Sequence, residues 1–453
     1  MDVVTVDTPS LGDRSYLITD GEVAVVVDAQ RDIDRILTLA ADHRVRITYV
    51  LETHIHNDYV TGGYQLARRT GAAYGVAAAD DTSFERHSLA DGDVIVAGAM
   101  TISVRHTPGH TTNHLSFIVH EEGRPLAVFT GGSMLYGTVG RTDLVDGGLT
   151  DRLARDQYHS VRRLADELPD EVTVHPTHGF GSHCSASETS TCSSTIGAER
   201  SENPALTTAD EEAFVRNLVE GLAPYPTYYA HMAGMNTQGP APLSLTPAAP
   251  LGVAELKKRI HAGEWVIDLR TRRAFAATHL GGAVNFELRN DLPSYVGWVI
   301  PWGARFTLLA DEVEHLDEAQ IMLARIGFDQ PAGAGAADPG QWQDDSHSYP
   351  VRSFQDLSAA HREGRELTVL DVRDEWEWKS GHHPTALRIP FYELPVRMAE
   401  IARDRPVWVY CATGSRAAVA ASLLERAGFD VELVDDFCLP GDVPCADLES
   451  AGR

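Results

Sequence analysis

The sequence contains little cysteine and no long apolar segment, and both shortages exclude classes of protein. Five cysteines in 453 residues are too sparse for a disulfide framework, so each is a candidate free thiol. No apolar run approaches the ~20 residues of a membrane helix. The first residues also lack a basic segment followed by an apolar one, as a signal peptide would have. We therefore expect a cytoplasmic protein without a membrane partner.

Basic residues are scarce relative to acidic ones. The 38 Lys and Arg against 65 Asp and Glu give a formal net charge of −27, which repels the phosphate backbone of nucleic acids. The hydrophobic share of 43% is ordinary for a folded globular protein. The charge therefore predicts no nucleic-acid partner. At ~150 residues per domain, the length predicts about three domains. The sequence is also compatible with a homo-oligomer.

Two stretches rich in small residues and proline divide the chain. The first, NTQGPAPLSLTPAAP, lies within about 235–252, and the second, QPAGAGAADPGQWQDDSHS, runs from Gln330 to Ser348. Both compositions are typical of linkers. We predict three domains, at residues 1–235, 250–330 and 349–450.

The second and third pieces repeat one another. The segment VIDLRTRRAFAATHLGGAVNF, which starts at Val266, aligns without a gap with VLDVRDEWEWKSGHHPTALRI, which starts at Val369. An offset of 103 residues indicates a duplicated domain, since solenoid repeats are much shorter. We predict the same fold for both copies.

The third piece contains a cysteine between a strand-like and a helix-like run. The apolar run VWVY leads into CATGSR, from Cys411 to Arg416, and AAVAASLLERAG follows. The loop N–H groups and the helix N-terminus stabilise a thiolate. Gly414 lets the backbone curl, and Arg416 offers donors to a bound anion. We predict Cys411 and Arg416 as catalytic and Gly414 as substrate-binding; the alternative is a buried core thiol.

This piece resembles the rhodanese (sulfurtransferase) family in VLDVRDEWEW, GHHPTALRIP and CATGSRA. In that family the loop cysteine carries a sulfane sulfur as a persulfide. The related phosphatase loop is longer between Cys and Arg, so the resemblance favours sulfur transfer over phosphate transfer. The second piece has Ala310 at the position of Cys411, and we interpret it as a degenerate copy.

The first piece alternates strand-like and helix-like runs, as in an α/β fold, and its histidines lie where strands end. His54 and His56 follow ITYVLE and can turn toward one ion, and Asp58 can add a carboxylate. The later loops HTPGHTTNH, with His110, and HPTHG, with His178, follow strand-like runs as well. We predict a metal site with His54, His56, His110 and Asp58 as ligands.

These loops, together with GRTDL at 140–144, resemble the metallo-β-lactamase superfamily. Within it, the first piece looks like glyoxalase II and, more closely, the persulfide dioxygenases, in which fused rhodanese domains occur. The resemblance implies an N-terminal αββα sandwich followed by two rhodanese-like α/β domains. It also implies one Fe(II) per chain, with zinc as the alternative, which oxidises a thiol persulfide with O₂ to sulfite. By position, His54 and His110 match the two histidine ligands of that enzyme class.

Two positions depart from the superfamily pattern. Gly132 stands where a ligand aspartate is expected, and Tyr59 stands at the last histidine of HxHxDH. Both changes remove ligands from a second metal site, so dinuclear hydrolysis is disfavoured. A mononuclear site of His54, His56 and His110 is preferred; the alternative is a metal-free domain that binds a thiol or a partner.

Four other side chains are assigned by their place in these loops. We predict that His178 and Arg141 bind the sulfur substrate; His178 can instead be a remnant ligand of the second metal site, and Arg141 can instead pair with Asp143. Cys184, in a Gly- and Ser-rich loop, is a candidate for relaying sulfur.

The hypothesis for the whole chain is an enzyme of sulfide and persulfide metabolism. It would oxidise a low-molecular-weight thiol persulfide to sulfite at iron and transfer sulfur, from persulfide or thiosulfate, through Cys411. The alternative is a sulfurtransferase only. We expect no function for Cys438 and Cys445.

Overall fold

A computed structural model describes residues 1–187, 189 and 191–437. Cys438, Cys445 and the end of the predicted third domain lie outside these residues. The chain divides into two compact units: Met1–Ser244 with Met322–Asp329, and Leu245–Ile321 with the residues from Gln330 onward. None of the helices in the described ranges has the length and apolar character that a membrane span requires. The three predicted domain boundaries stay predictions.

The first unit contains two six-stranded sheets. Its strands are β1 (Asp2–Thr8), β2 (Asp13–Thr19), β3 (Val23–Val27), β4 (Arg46–Leu51), β5 (Ala73–Ala77), β6 (His87–Leu89), β7 (Val94–Ala97), β8 (Met100–His106), β9 (Leu115–Glu121), β10 (Arg124–Gly131), β11 (Met134–Leu135), β12 (Thr138–Val139), β13 (Thr173–Pro176) and β14 (Ser194–Thr195). Its helices are α1 (Asp34–His43), α2 (Gly63–Thr70), α3 (Thr150–Glu167), α4 (Ile196–Glu202), α5 (Pro204–Thr207), α6 (Glu211–Glu220) and α7 (Tyr229–Gln238). One sheet has the order β1-β2-β3-β4-β5-β6 and the other β14-β13-β10-β9-β8-β7, while β11 and β12 form a hairpin.

Side-chain alternation in β3 shows how the layers form. Val25 and Val27 belong to the core between the two sheets, which also contains Phe117 and Phe129 of the second sheet. The intervening Val26 faces the opposite side and packs with residues of α1 and α2. Helices α3 and α6 cover the outer face of the second sheet. Because successive strand residues point to opposite faces, the fully apolar strand β3 is buried on both sides. The layers together form the expected αββα sandwich.

The second unit contains the two repeated pieces. Its strands are β15 (Trp265–Asp268), β16 (His279–Leu280), β17 (Val284–Asn285), β18 (Phe306–Ala310), β19 (Gly333–Ala336), β20 (Ser346–His347), β21 (Val351–Arg352), β22 (Thr368–Asp371), β23 (Leu387–Arg388), β24 (Val407–Tyr410) and β25 (Val431–Val434). Its helices are α8 (Val253–His261), α9 (Arg272–Ala277), α10 (Leu292–Val299), α11 (Val313–Arg325), α12 (Phe354–Arg362), α13 (Glu375–Ser380), α14 (Leu394–Arg397) and α15 (Ser415–Arg426); the last residues of α11 belong to the first unit. The sheets have the orders β17-β15-β18-β19 and β21-β25-β24-β22-β23.

The two pieces that repeat in sequence have the same strand register. In the first copy (residues 250–336), β15 and β18 are parallel, with Asp268 opposite Leu309. In the second copy (residues 349–437), β22 and β24 are parallel, with Asp371 opposite Tyr410. The residues that follow Leu309 and Tyr410 are Ala310 and Cys411. The structure thus places Ala310 at the position that Cys411 occupies in the other copy.

The stretch predicted as a second linker contains strand β19, so this interpretation is wrong for its first part. β19 pairs in parallel with β18. Its glycines allow close packing, since a Cβ on Gly333 would lie 2.3 Å from Leu251 Cδ1. Small residues are typical of linkers in many sequences. In β19 they instead allow close packing at the edge of a sheet.

Candidate functional site

Three histidines of the first unit converge at the ends of three strands. His54 follows β4, His110 follows β8 and His178 follows β13, and the three residues are 1%, 0% and 0% exposed. One ring nitrogen of each lies within 4.8 Å of those of the other two. The predicted gathering of strand-end histidines is therefore present in the fold.

Each of these rings is held through its Nδ1 atom. His110 Nδ1 donates to the Arg141 carbonyl oxygen at 2.8 Å, and His178 Nδ1 donates to Asp13 Oδ1 at 2.8 Å. His54 Nδ1 lies 2.9 Å from Thr53 Oγ1. Since Thr53 Oγ1 itself donates to Asp28, it accepts from the ring.

These Nδ1 contacts leave the three Nε2 atoms for a ligand. His110 Nε2 is buried without a hydrogen-bond partner among the described residues, and His178 Nε2 lies 3.4 Å from His54 Nε2. Metal-binding histidines are typically oriented in this way, with one nitrogen held and the other on the ion. The donor set of the cluster therefore fits a metal ion.

The protonation of the cluster supports the same conclusion. Burial lowers the pKa of His54 well below its ordinary value, and lowers that of His110 to about 3, which keeps both rings in the neutral form that coordinates metals. Burial opposes the charge of His178 as well, but Asp58 and Asp13 raise its pKa well above the ordinary value. A buried positive charge on His178 is thus stabilised chiefly by Asp58, whose pKa His178 lowers against the effect of burial, whereas burial and Asp58 raise the pKa of Asp13 to about 8.

His56 has a different environment from His54. Its Nε2 lies 3.3 Å from Asp28 Oδ1 and 3.3 Å from Glu52 Oε2. Burial lowers the pKa of His56, but Asp28 and Glu52 raise it to about 9. In the described residues, the donor atoms of His54, His56 and His110 do not form one compact group, and His178 takes the place that we predicted for His56.

Asp58, the fourth predicted ligand, lies beside the Nδ1 atom of His178. Its Oδ2 is 3.2 Å from His178 Nδ1, and Asp58, His56 and His178 have donor atoms within 4.8 Å of one another. The residue predicted to bind substrate, His178, is therefore shared by two groups of potential ligands.

Sequence reasoning missed three buried carboxylates, Asp13, Asp28 and Glu52, at 1%, 0% and 2% exposure. Asp28 follows the apolar strand β3 directly, and Glu52 follows β4. An acidic residue directly after a strand that ends in buried apolar residues is the signal that could have identified both, because such a position is buried and a buried charge requires a partner.

Both positions that depart from the superfamily pattern line this cluster. A Cβ on Gly132 would lie 2.2 Å from His110 Cδ2, so the imidazole occupies the space of a side chain there. The Tyr59 ring is buried and stacks on His56, with centroids 4.3 Å apart. Neither residue supplies a carboxylate or an imidazole to a second metal ion.

Arg141 is paired inside the protein. Its Nε and Nη2 donate to the two carboxylate oxygens of Asp143 at 2.7 and 2.8 Å, and its Nη1 donates to the His183 carbonyl oxygen. Of the two alternatives from the sequence, the structure shows the pairing with Asp143. Cys184 is fully buried, and burial raises the pKa of its thiol well above the ordinary value, so this thiol is a poor nucleophile.

The cysteine loop of the second unit has the predicted strand–loop–helix arrangement. β24 ends at Tyr410 and α15 begins at Ser415. Cys411 is 1% exposed, and its Sγ accepts from the backbone N–H groups of Gly414 and Ala417 at 3.2 and 3.4 Å. Gly414 has φ +89°, a left-handed conformation that favours glycine. Two N–H groups directed at one sulfur atom stabilise negative charge on it.

The guanidinium of Arg416 binds carboxylates of its own copy. Its Nη2 donates to Glu377 Oε1 at 2.8 Å, and its Nη1 lies 3.2 Å from Asp374 Oδ2. The first copy also contacts the loop: Arg272 Nη2 donates to the Thr413 carbonyl oxygen at 3.3 Å, and Arg289 Nη1 donates to Ser415 Oγ at 3.2 Å. Sequence reasoning did not identify this contribution from the first copy.

Comparison with known proteins identifies both regions. Residues 13–178 match the metallo-beta-lactamase superfamily, and residues 353–436 match the rhodanese-like domain. The chain is 30% identical to "Persulfide dioxygenase ETHE1, mitochondrial" of Bos taurus over 219 residues. The aligned residues cover 47% of this chain and 78% of the relative. The chain belongs to the metallo-beta-lactamase superfamily.

Two further relatives extend this assignment. The human protein of the same name is 30% identical over 206 residues, which cover 44% of this chain and 73% of the relative. A crystal structure of a metallo-beta-lactamase from Staphylococcus aureus subsp. aureus COL is 27% identical, with a TM-score of 0.67, and covers 74% of this chain and 99% of that chain. The fusion of a metallo-beta-lactamase domain, which contains the histidine cluster, to a C-terminal rhodanese-like domain, which contains Cys411, is confirmed.

Proposed function

We propose that this protein oxidises a low-molecular-weight thiol persulfide to sulfite in its metallo-beta-lactamase domain and transfers sulfane sulfur through Cys411. The observation that carries the proposal is the buried histidine cluster, in which one ring nitrogen of each of His54, His110 and His178 lies within 4.8 Å of those of the other two. Its relatives at 30% identity are named persulfide dioxygenases, and the fused rhodanese-like domain fits the same sulfur chemistry. The substrates we propose are small thiol persulfides and thiosulfate.

His54, His110 and His178 would hold one iron ion per chain. When bound, Fe(II) supplies redox chemistry and open coordination positions for O₂ and sulfur. The protein orients the ligands: the Arg141 carbonyl holds His110, and Asp13 and Asp58 hold His178. In the metal-free site these carboxylates balance a proton on His178, so metal binding replaces one buried positive charge by another.

Cys411 would carry the transferred sulfur. Its thiolate attacks the outer sulfur of thiosulfate, the S–S bond breaks, and sulfite leaves with the bonding electron pair. The persulfide that remains on Cys411 then passes its outer sulfur to an acceptor thiolate. The N–H groups of Gly414 and Ala417 stabilise the negative charge in each state, and Arg416 positions the loop through Glu377.

The second candidate is a sulfurtransferase whose metallo-beta-lactamase domain contains no metal. It is favoured by Gly132, which offers no carboxylate at a ligand position of the superfamily. The ion pairs of His178 with Asp13 and of His56 with Asp28 also balance the buried charges without a metal ion.

Oxygen uptake distinguishes the two candidates. The full-length protein is reconstituted with Fe(II), its iron and zinc contents are measured, and glutathione persulfide is added. We expect one iron per chain and O₂ consumption with release of sulfite, both lost in His110→Ala and both retained in Cys411→Ala. A protein that transfers sulfur normally but consumes no O₂ would refute the dioxygenase proposal in favour of the second candidate.

The ligand set is tested separately by iron content. We expect His178→Ala to lose iron and His56→Ala to retain it, whereas the set predicted from the sequence requires the opposite. His159→Ala is the control, because this histidine is 63% exposed and lies outside the cluster. Retention of one tightly bound iron by His178→Ala would exclude the three-histidine set.

A further inference from the structure

A second group of potential metal ligands lies in the second unit, outside both sites described above. Donor atoms of His279, His347 and Glu425 lie within 4.8 Å of one another. His279 begins β16 and His347 ends β20, and the two residues are opposite each other in this antiparallel pair. Glu425 lies in the last turn of α15, the helix that follows the Cys411 loop. The group therefore joins three separate segments of the chain.

His279 is oriented as a metal ligand would be. It is fully buried, and its ring stacks on Phe275 with centroids 3.9 Å apart and planes at 5°. Its Nδ1 donates to the Phe275 carbonyl oxygen at 2.8 Å. Because a carbonyl oxygen can only accept, Nδ1 carries the proton and the neutral ring has its lone pair on Nε2.

The contact between His279 Nε2 and Glu425 is unusual. His279 Nε2 is 3.6 Å from Glu425 Oε2, which is beyond hydrogen-bond distance, and both atoms are buried without a hydrogen-bond partner among the described residues. The other oxygen, Oε1, accepts from His347 Nδ1. Two buried polar atoms that face each other without a hydrogen bond are unfavourable, and a cation bound by both would remove this cost.

We propose that His279, His347 and Glu425 bind a divalent cation of the zinc type. Two imidazoles and one carboxylate are a common protein ligand set for zinc, with water in the remaining position. The His347 side chain is 50% exposed and provides a path from solvent. The bound ion would tie the first copy and the segment between the copies to helix α15.

The second copy shows that this group is not a general property of the repeated fold. His382 aligns with His279: its Nδ1 donates to the Trp378 carbonyl oxygen at 2.9 Å, and its ring stacks on Trp378 with centroids 3.5 Å apart. Within the described ranges, however, His382 belongs to no such ligand group. The position that aligns with Glu425 is Ala324. The same ring geometry therefore forms a candidate site only at His279, where His347 and Glu425 lie beside the ring.

Zinc binding by the full-length protein tests the proposal. Equilibrium dialysis against Zn²⁺, followed by metal analysis, should show one equivalent fewer in His347→Ala than in the wild type, with affinity at this site reduced at least about tenfold. Glu425→Gln, which preserves the shape of the side chain, should give the same loss. His315→Ala is the matched control, since His315 is 40% exposed and pairs with Asp311 at 2.9 Å but belongs to no ligand group in the described part of the chain.

The histidine cluster of the first unit also competes for zinc, so a second measurement separates the two. The variant His56→Gln/His178→Gln loses a ligand from each of the three candidate groups of the first unit. In this background Zn²⁺ should still bind and raise the Tm, and adding His347→Ala should abolish both effects. If the background binds no zinc, or if His347→Ala changes neither stoichiometry nor Tm, the proposal is wrong.

Discussion

The two repeated copies of the second unit share one structural frame. In the first copy Arg270 Nη2 donates to Asp268 Oδ2 at 2.6 Å, and in the second Arg373 Nη2 donates to Asp371 Oδ2 at 2.7 Å. Both arginines also reach an aligned backbone carbonyl, that of Thr278 or of Gly381. The buried ion pair fixes the turn after the central strand in each copy, whether or not a cysteine is present.

The copies differ in the loop where Cys411 lies. The four residues from Cys411 to Gly414 align without a gap with Ala310, Asp311, Glu312 and Val313. The connection of the first copy therefore has the same length, but it has no glycine and contains two acidic side chains, which disfavour an anion. The comparison teaches that the frame and the reactive loop are separable: the ion pair specifies the fold, and Cys411 and Gly414 specify the sulfur site.

The largest effect is expected from removing the reactive atom. Cys411→Ser should reduce sulfur transfer from thiosulfate to cyanide at least about 1000-fold, because a hydroxyl does not form the persulfide. Cys192→Ser is the control, since Cys192 is exposed. Mass analysis should find the added sulfur atom on the peptide that contains Cys411, and undiminished transfer by Cys411→Ser would place the reaction elsewhere.

The buried ion pairs allow the stability of the two frames to be compared. Asp268→Asn and Asp371→Asn each leave a buried arginine without its carboxylate, which should lower the free energy of unfolding by about 3–5 kcal/mol. The loss should be larger by about 1 kcal/mol at Asp371, because Tyr410 Oη also donates to Asp371 Oδ2 at 2.6 Å, whereas the aligned residue in the first copy is Leu309. Urea denaturation followed by fluorescence measures both losses. Equal losses would mean that the tyrosine contributes no stability.

Gly414 tests whether the loop conformation is required. Gly364, in the same copy, is also left-handed, with φ +66°, and has open space around its Cβ position. Gly364→Ala should therefore cost only about 1–2 kcal/mol of unfolding free energy. At Gly414 a Cβ would lie 2.2 Å from Asp435 Oδ1, so Gly414→Ala should cost about 1–3 kcal/mol more and also reduce sulfur transfer. Matching Tm values for the two variants would show that the loop tolerates a side chain.

Features set by local sequence were predicted well. The β24–loop–α15 arrangement follows from an apolar run, a short polar loop and a helix-forming run, and Cys411 lies where this pattern places it. The strand-end positions of His54 and His110 were identified for the same reason. Each of these signals lies within about one strand and the loop that follows it.

Features set by distant residues were not predictable in this way. His56 faces Asp28 and Glu52, and His178 is held by Asp13, a residue 165 positions away in the sequence. Which imidazole faces the cluster therefore depends on partner residues from other strands. The spacing of residues along the sequence does not reveal these partners. Strand β19 was missed because its small residues are explained only by the packing of Leu251 against Gly333.

The smallest effect is expected from placing a cysteine in the degenerate copy. Ala310 is buried at the end of β18, so Ala310→Cys adds one sulfur atom to a packed position and should change the free energy of unfolding by about 1 kcal/mol or less. In the Cys411→Ser background it should restore no sulfur transfer, because Val313 stands at the position of Gly414 and the acidic Asp311 and Glu312 come directly before it. If the new cysteine did take up sulfur from thiosulfate, the frame alone would be sufficient for the chemistry, and the contrast between the two copies would reduce to a single side chain.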